Sequence, residues 1–164
     1  MKTTNQIFID ANIFTYLLTD HPVYGRSCFD LMEKVELGDT TGFISPLVID
    51  EVAYILMIQK ARTITGNMEI KNAKRVLAKI WDECLEPVNE FYRYLDQLIS
   101  MGNLIVLNLD YSISRISLEC AREYNLFPRD ALHTACCKAY GIKKMATNDG
   151  DFLRVEFLEI LRPG

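Results

Sequence analysis

Histidine is scarce in this chain, and its two copies, His21 and His133, stand far apart, so a histidine-rich metal centre is excluded. Cysteine does not take its place. The five copies, Cys28, Cys84, Cys120, Cys136 and Cys137, are odd in number, scattered and without a CxxC pair, which points to neither a disulfide framework nor a zinc site. They read as small buried apolar residues. No apolar run reaches the roughly 20 residues that span a bilayer, and the opening MKTTNQ lacks the apolar core of a signal peptide. A cytoplasmic protein with no membrane contact is expected. No glycine-rich turn follows the first predicted strand, so a dinucleotide-binding reading fails. A surplus of positive charge is missing as well: 22 acidic against 18 basic residues give a net charge of -4. That balance argues against gripping nucleic acid by bulk electrostatics, while permitting an acidic centre with a local basic rim.

What is present is an ordinary globular composition, 49% apolar and 24% charged over 164 residues, enough for one domain, 1–164, with a sizeable core. Against that background one pattern stands out. Acidic residues recur at the ends of apolar segments or inside them: Asp10 closes IFID, Glu51 lies in LVIDEVAYILMI, Asp130 opens DALHTACC, and Asp149 and Asp151 follow KKMAT. Carboxylates are expensive to bury unless paired, hydrogen-bonded or bound to a cation. Several in one chain suggest a shared site.

The element order supports such a site. Residues 6–10 read as a buried strand running into a helix at Ala11, with Asp10 at the junction. Residues 24–37 have helical spacing and stop before Gly38, TTGFIS forms a second strand, and Pro46 opens a further helix, where its missing donor does no harm. Residues 67–101 carry two helical patterns separated by the proline-bearing LEPVNE, which predicts a helical hairpin. NLIVLNL is a continuous apolar run, expected as a strand covered on both faces. Helices from Tyr111 to Tyr124 and from Pro128 to Gly141 follow, then strands at KKMAT and FLEIL. Strands alternating with helices predict a three-layer α/β/α sandwich around a parallel sheet, plus the hairpin insertion. Ligands of such sheets bind at the carboxyl ends of the strands, where Asp10, Glu51, Asp130 and Asp149 can converge.

Each acid also has a plainer role. Asp10 suits a helix cap, worth about 0.5–2 kcal/mol, Asp130 a first helical turn favoured by the helix dipole, and TNDGDF an ordinary turn. Periodicity does not choose between Glu51 and its neighbour Asp50, because that helix is apolar nearly all round. Joint placement favours function. Brought together without a cation, four carboxylates repel and some stay protonated at neutral pH. Oxygen ligands favour magnesium or manganese, and one or two such ions in an all-carboxylate site commonly serve phosphoryl transfer, which makes phosphodiester hydrolysis the expected reaction.

The same residues resemble the PIN-domain nucleases. IFIDANIF is similar to the family's first motif, with Asp10 leading and Asn12 two places on. SPLVIDEVAYIL resembles the second and selects Glu51 over Asp50. PRDALHTACC resembles the third, centred on Asp130, and ATNDGDF the closing motif, in which Thr147 precedes Asp149 and the Asp151-Phe152 pair. The motifs are short, but four in the right order are specific, and they cover residues 6–62 and 103–160. The resemblance implies a magnesium- or manganese-dependent ribonuclease acting on RNA. It further implies the VapC-like toxin component of a toxin–antitoxin pair, with an antitoxin partner and a homodimer. Its metal ligands would be Asp10, Glu51, Asp130 and Asp149, with Asp151 as an alternative or additional fourth acid, and Asn12 and Thr147 in support. The segment between the second and third motifs is longer than in compact toxins. An RNA-maturation nuclease and a non-catalytic binding module remain the alternatives.

Other polar residues are weaker candidates. Lys71, Lys74, Arg75 and Lys79 form a basic stripe suited either to an RNA backbone or to solvent, and Arg26, Lys60 and Arg62 are alternative rim cations. His133 is placed one turn after Asp130, where it orients a water or phosphate or simply bonds within the fold. Ser45 and Thr147 offer hydroxyls at strand ends.

Overall fold

The computed structural model describes residues 5–66, 75 and 77–164. Five strands, β1 (Asn5–Ile9), β2 (Thr40–Ile44), β3 (Leu104–Val106), β4 (Lys144–Ala146) and β5 (Glu159–Leu161), form one parallel sheet in the order β3-β2-β1-β4-β5. β1 is central, and its inner residues Ile7, Phe8 and Ile9 are fully buried. Its register places Phe8 beside Phe43 on β2 and beside Met145 on β4. At Gly42 of β2, an added Cβ would lie 2.8 Å from Ile9 Cδ1 and 2.9 Å from Leu104 Cδ1. The absent side chain lets two neighbouring strands fill that space.

Six helices flank the sheet among the described residues: α1 (Ala11–Leu18), α2 (Gly25–Glu36), α3 (Pro46–Thr65), α4 (Trp81–Ser100), α5 (Tyr111–Tyr124) and α6 (Pro128–Tyr140). α1 packs on α2 and α3, and α3 on α4, while α5 and α6 pack on each other. Parallel crossovers are right-handed, so the chain places α1–α4 on one face while moving from β1 to β3. It places α5 and α6 on the other while returning to β4. This is the three-layer α/β sandwich with a parallel sheet that the sequence pattern predicts. The reversal of direction between β1 and β4 opens a crevice at their carboxyl ends.

Local chemistry sets the element ends. Asp110 caps α5 by accepting from the Ile113 amide at 3.0 Å, and Gly141 ends α6 in the left-handed region at φ 68°. All five cysteines are free and buried. Burial pushes the Cys28 and Cys136 thiols up to about 11, so they are protonated, apolar filling at neutral pH.

Two expectations require correction. LEPVNE is no turn: it lies within α4, with Pro87 inside the helix. An interior proline costs about 3 kcal/mol, but α4 buries Cys84, Val88, Phe91, Leu95 and Leu98 on one face. Burial of a Val, Leu or Phe side chain contributes about 1.5–3 kcal/mol each, so packing outweighs the break. The pairing that does form is α3 against α4, supported by a small cluster of Ile58, Ala61, Leu77 and Cys84. Most of the first helical pattern, residues 67–74 and 76, lies outside the described residues. The second correction concerns NLIVLNL, of which only three residues form β3. As an edge strand it leaves Ile105 42% and Val106 36% exposed.

Phe91 is fully buried and meets Phe14 edge-on, with centroids 5.5 Å apart, joining α4 to α1. Phe91→Ala is therefore expected to reduce unfolding free energy by about 3–5 kcal/mol, as measured by urea denaturation.

Candidate active site

Asp10 leaves the end of β1 and caps α1, its Oδ1 accepting from the Ala11 amide at 2.7 Å. Its Oδ2 accepts from Asn12 Nδ2 and from the Thr147 hydroxyl, each at 2.6 Å. Thr147 follows β4, so this carboxylate joins the two strands that border the crevice. The Thr147 oxygen in turn accepts from Asn12 Nδ2 and from the Asp149 amide, both at 3.0 Å. Asn12 Oδ1 accepts from the Asn148 amide at 3.1 Å. One carboxylate, one amide and one hydroxyl thus fix the turn that carries Asp149.

The other acids arrive from helices. Glu51 stands in the second turn of α3, with its side chain 14% exposed, and its Oε1 meets Arg129 Nε at 3.2 Å and His133 Nε2 at 3.3 Å. Asp130 is half-buried in the first turn of α6. Asp149 caps a short 3-10 helix, Gly150–Arg154, by accepting from the Asp151 amide at 2.8 Å. Asp151 is itself paired with Arg154. A cavity of about 320 Å³ opens among them, lined by Asp10, Asn12, Glu51, Asp130, His133 and Asp149 together with apolar and hydroxyl neighbours.

Ligand atoms fall into two sets. Those of Asp10, Glu51 and His133 lie within 4.8 Å of one another, and so do those of Asp130, Asp149 and Asp151. The donor set is chiefly carboxylate oxygen, which suits a hard divalent cation. The residues therefore fit one or two such ions. The oxygen-only expectation is modified in one respect, since the His133 imidazole nitrogen belongs to the first set.

His133 is only 2% exposed, tilted against Phe8 at 5.5 Å, and its Nδ1 has no hydrogen-bond partner. The sequence leaves His133 either to orient a water or phosphate or to bond within the fold. The structure shows that bond and adds that its partner is a site acid 82 residues away. Arg129, absent from the sequence-based candidates, reaches the site through its ion pair with Glu51, which lines the cavity. Its only signal was adjacency to Asp130 at a helix start. Of the proposed rim cations, Arg26 pairs with Asp30 and Lys60 with Glu86. Arg75 and Lys79 are exposed, whereas Lys71 and Lys74 lie outside the described residues. Ser45 is buried, and its hydroxyl neither caps α3 nor lines the cavity.

Crowding of carboxylates leaves an electrostatic trace. Burial pushes the Asp10 carboxyl up from its ordinary value and Glu51 adds to the rise, while His133, Thr147 and the Ala11 amide oppose it. Asp130 is also raised, first by burial and then by the Asp149 charge, with smaller contributions from Asp10 and Asp151 and opposition from His133. A carboxyl raised in the folded state favours the native protein while protonated, and that contribution disappears as pH rises through the folded value. In EDTA, Asp130→Asn is therefore expected to melt higher than wild type at pH 7. The gain should shrink as pH falls toward the ordinary carboxyl value of 3.8, as checked by thermal melts across that range.

Comparison with known proteins places this geometry. Residues 7–158 match the model of the PIN domain. The chain is 35% identical over 157 residues to Ribonuclease VapC2 of Methanocaldococcus jannaschii, covering 96% of this chain and 93% of that one. Among solved structures, it resembles Mycobacterium tuberculosis VapC20, described as a sarcin-ricin loop cleaving toxin, with TM-score 0.57 and 17% identity over 96% of this chain and 99% of that one. It also resembles a chain of a toxin-antitoxin complex from Klebsiella pneumoniae, with TM-score 0.56 and 15% identity over 96% and 98% of the two chains. With Asp10, Glu51, Asp130 and Asp149 around one cavity and the PIN model matched over residues 7–158, the chain belongs to the PIN domain family.

Proposed function

We propose that this protein is a metal-dependent endoribonuclease, the toxin component of a toxin–antitoxin pair, and that Asp10, Glu51, Asp130 and Asp149 form its catalytic centre. The observation that carries the reading is the meeting of four carboxylates, from four separate segments, around one open cavity. The archaeal relative named a ribonuclease supports the reaction class. The neighbour from a toxin-antitoxin complex supports a protein partner.

In this reading, Asp10, Glu51 and His133 would hold one magnesium or manganese ion, and Asp130, Asp149 and Asp151 a second. Bound there, divalent cations would supply Lewis acidity toward the phosphodiester and lower the pKa of water so that hydroxide is available as a nucleophile at neutral pH. The protein contributes orientation. Asp10 is held by three donors, so its carboxylate needs no reorganisation. Asn12 and Thr147 are supporting residues that hold Asp10 and the Asp149 turn in register. Arg129 partly offsets the charge of Glu51, and together with His133 it holds that carboxylate at the cavity wall. Asp149 lines the cavity, whereas Asp151 is tied to Arg154, which ranks Asp149 as the fourth acid. Arg75 and Lys79, with Lys71 and Lys74, are proposed as RNA backbone contacts on the strength of their charge pattern alone.

A pool of labelled single-stranded RNAs is expected to be cut with magnesium or manganese and left intact with EDTA. Asp10→Asn should abolish cutting to background. Equal cutting by that variant would assign the activity to a contaminant, and no cutting by wild type under any condition would remove the ribonuclease reading. The homodimer is proposed from family membership. Light scattering should then give a solution mass twice the 18.9 kDa of the chain.

A further inference from the structure

A second cavity of about 500 Å³ adjoins the catalytic one and is lined by Asp50, Glu51, Tyr54, Ile55 and Arg129. Glu51 and Ile55 line both cavities, so the two share a wall. Asp50 and Tyr54 are four residues apart on α3 and therefore neighbours on one helix face, while Arg129 comes from α6. The Tyr54 side chain is accessible, 49% exposed overall, and Arg129 is 61% exposed although its Nε meets Glu51 at 3.2 Å.

We propose that this second cavity is a base-binding subsite that selects guanine in the nucleotide next to the scissile phosphate. The inference rests on the ribonuclease reading above and names its specificity. Bases of single-stranded RNA are held by stacking on aromatic rings or guanidinium planes and by hydrogen bonds to their Watson–Crick edges. Tyr54 provides the ring and Arg129 the planar cation from the facing helix. Two carboxylates in the lining disfavour a phosphate there. Asp50 has only acceptors to offer, and a carboxylate accepts two parallel donors. Guanine is the base that presents two adjacent donors, its N1–H and its exocyclic amine, on that edge. Adenine and cytosine each pair a donor with an acceptor, and uracil flanks its single donor with two carbonyls. Glu51 is engaged by Arg129 and His133, which leaves Asp50 as the reader.

Two measurements test the subsite, and they separate its failure from failure of the ribonuclease reading. In the first, wild type, Asp50→Asn and Tyr54→Ala cut a randomised single-stranded RNA pool with magnesium, and the fragment ends are sequenced. Wild type should enrich guanine at one fixed position beside the cut, and Asp50→Asn should reduce that enrichment about tenfold. Tyr54→Ala should raise KM about tenfold for the preferred sequence while kcat changes little. Cutting with the same sequence profile in wild type and Asp50→Asn overturns the subsite and leaves the nuclease standing. In the second, the four nucleoside 5′-monophosphates are titrated by calorimetry into metal-free Asp10→Asn protein. Tighter binding of guanosine monophosphate, lost when Asp50→Asn is added, supports the subsite even if no RNA is cut. Equal binding of all four overturns it.

Discussion

The burial of one carboxylate, that of Asp10, is the constraint on which the site depends. At 6% exposure, it lies where an isolated charge would be strongly disfavoured. It is tolerated because three donors converge on it: the Ala11 amide, the Asn12 amide and the Thr147 hydroxyl. Those donors come from the helix that leaves β1 and from the turn that leaves β4. Satisfying Asp10 therefore fixes how the two strands at the sheet's reversal point are joined at their carboxyl ends. The fold and the site share a single set of hydrogen bonds.

That arrangement remains electrostatically incomplete. Donors offset the desolvation of Asp10 only in part, since its carboxyl still lies above its ordinary value. Asp130 is raised for a related reason, with Asp149 close by. Glu51 is treated differently, being held by Arg129 and His133 through one oxygen. Thus the first ligand set has the Arg129 pairing of Glu51, whereas among the described residues the second has the Arg154 pairing of Asp151. A divalent cation relieves the repulsion in the second set most directly. The protein holds its acids in a geometry that is strained by charge rather than by backbone.

Much of this was legible in the sequence because it is written locally. Each strand that precedes an acid is a short apolar run, and the starts of α1, α3, α5 and α6 are marked by proline or a capping aspartate, so α5 and α6 begin where Tyr111 and Pro128 predict. The four acids and their order were readable for the same reason. Glu51 was not separable from Asp50 by pattern, since α3 is apolar nearly all round and its faces differ in what they meet rather than in composition. LEPVNE misled because proline and acidic residues mark turns locally, while α4 is held by side chains buried on one face, Val88 of that segment among them. The edge position of β3 depends on sheet order, which no single run encodes. Arg129 and His133 acquire meaning only through Glu51, which is far away in the chain.

A net charge of -4 also restricts how such a protein meets a polyanion. Nucleic-acid binding by clustered cations weakens steeply with salt, because its driving force is counterion release. Here acids occupy the centre, and Arg129 beside it is already engaged with Glu51. On the proposed reading, affinity beyond that of the basic stripe comes from contacts that a general phosphate surface does not provide: cations held at the carboxylates and stacking or hydrogen bonding to bases nearby. Such contacts are short-ranged and shape-dependent. A weak long-range field combined with a demanding local fit favours selectivity over broad RNA binding, so on the proposed reading the acidic residues assigned to the reaction also limit which RNA reaches it.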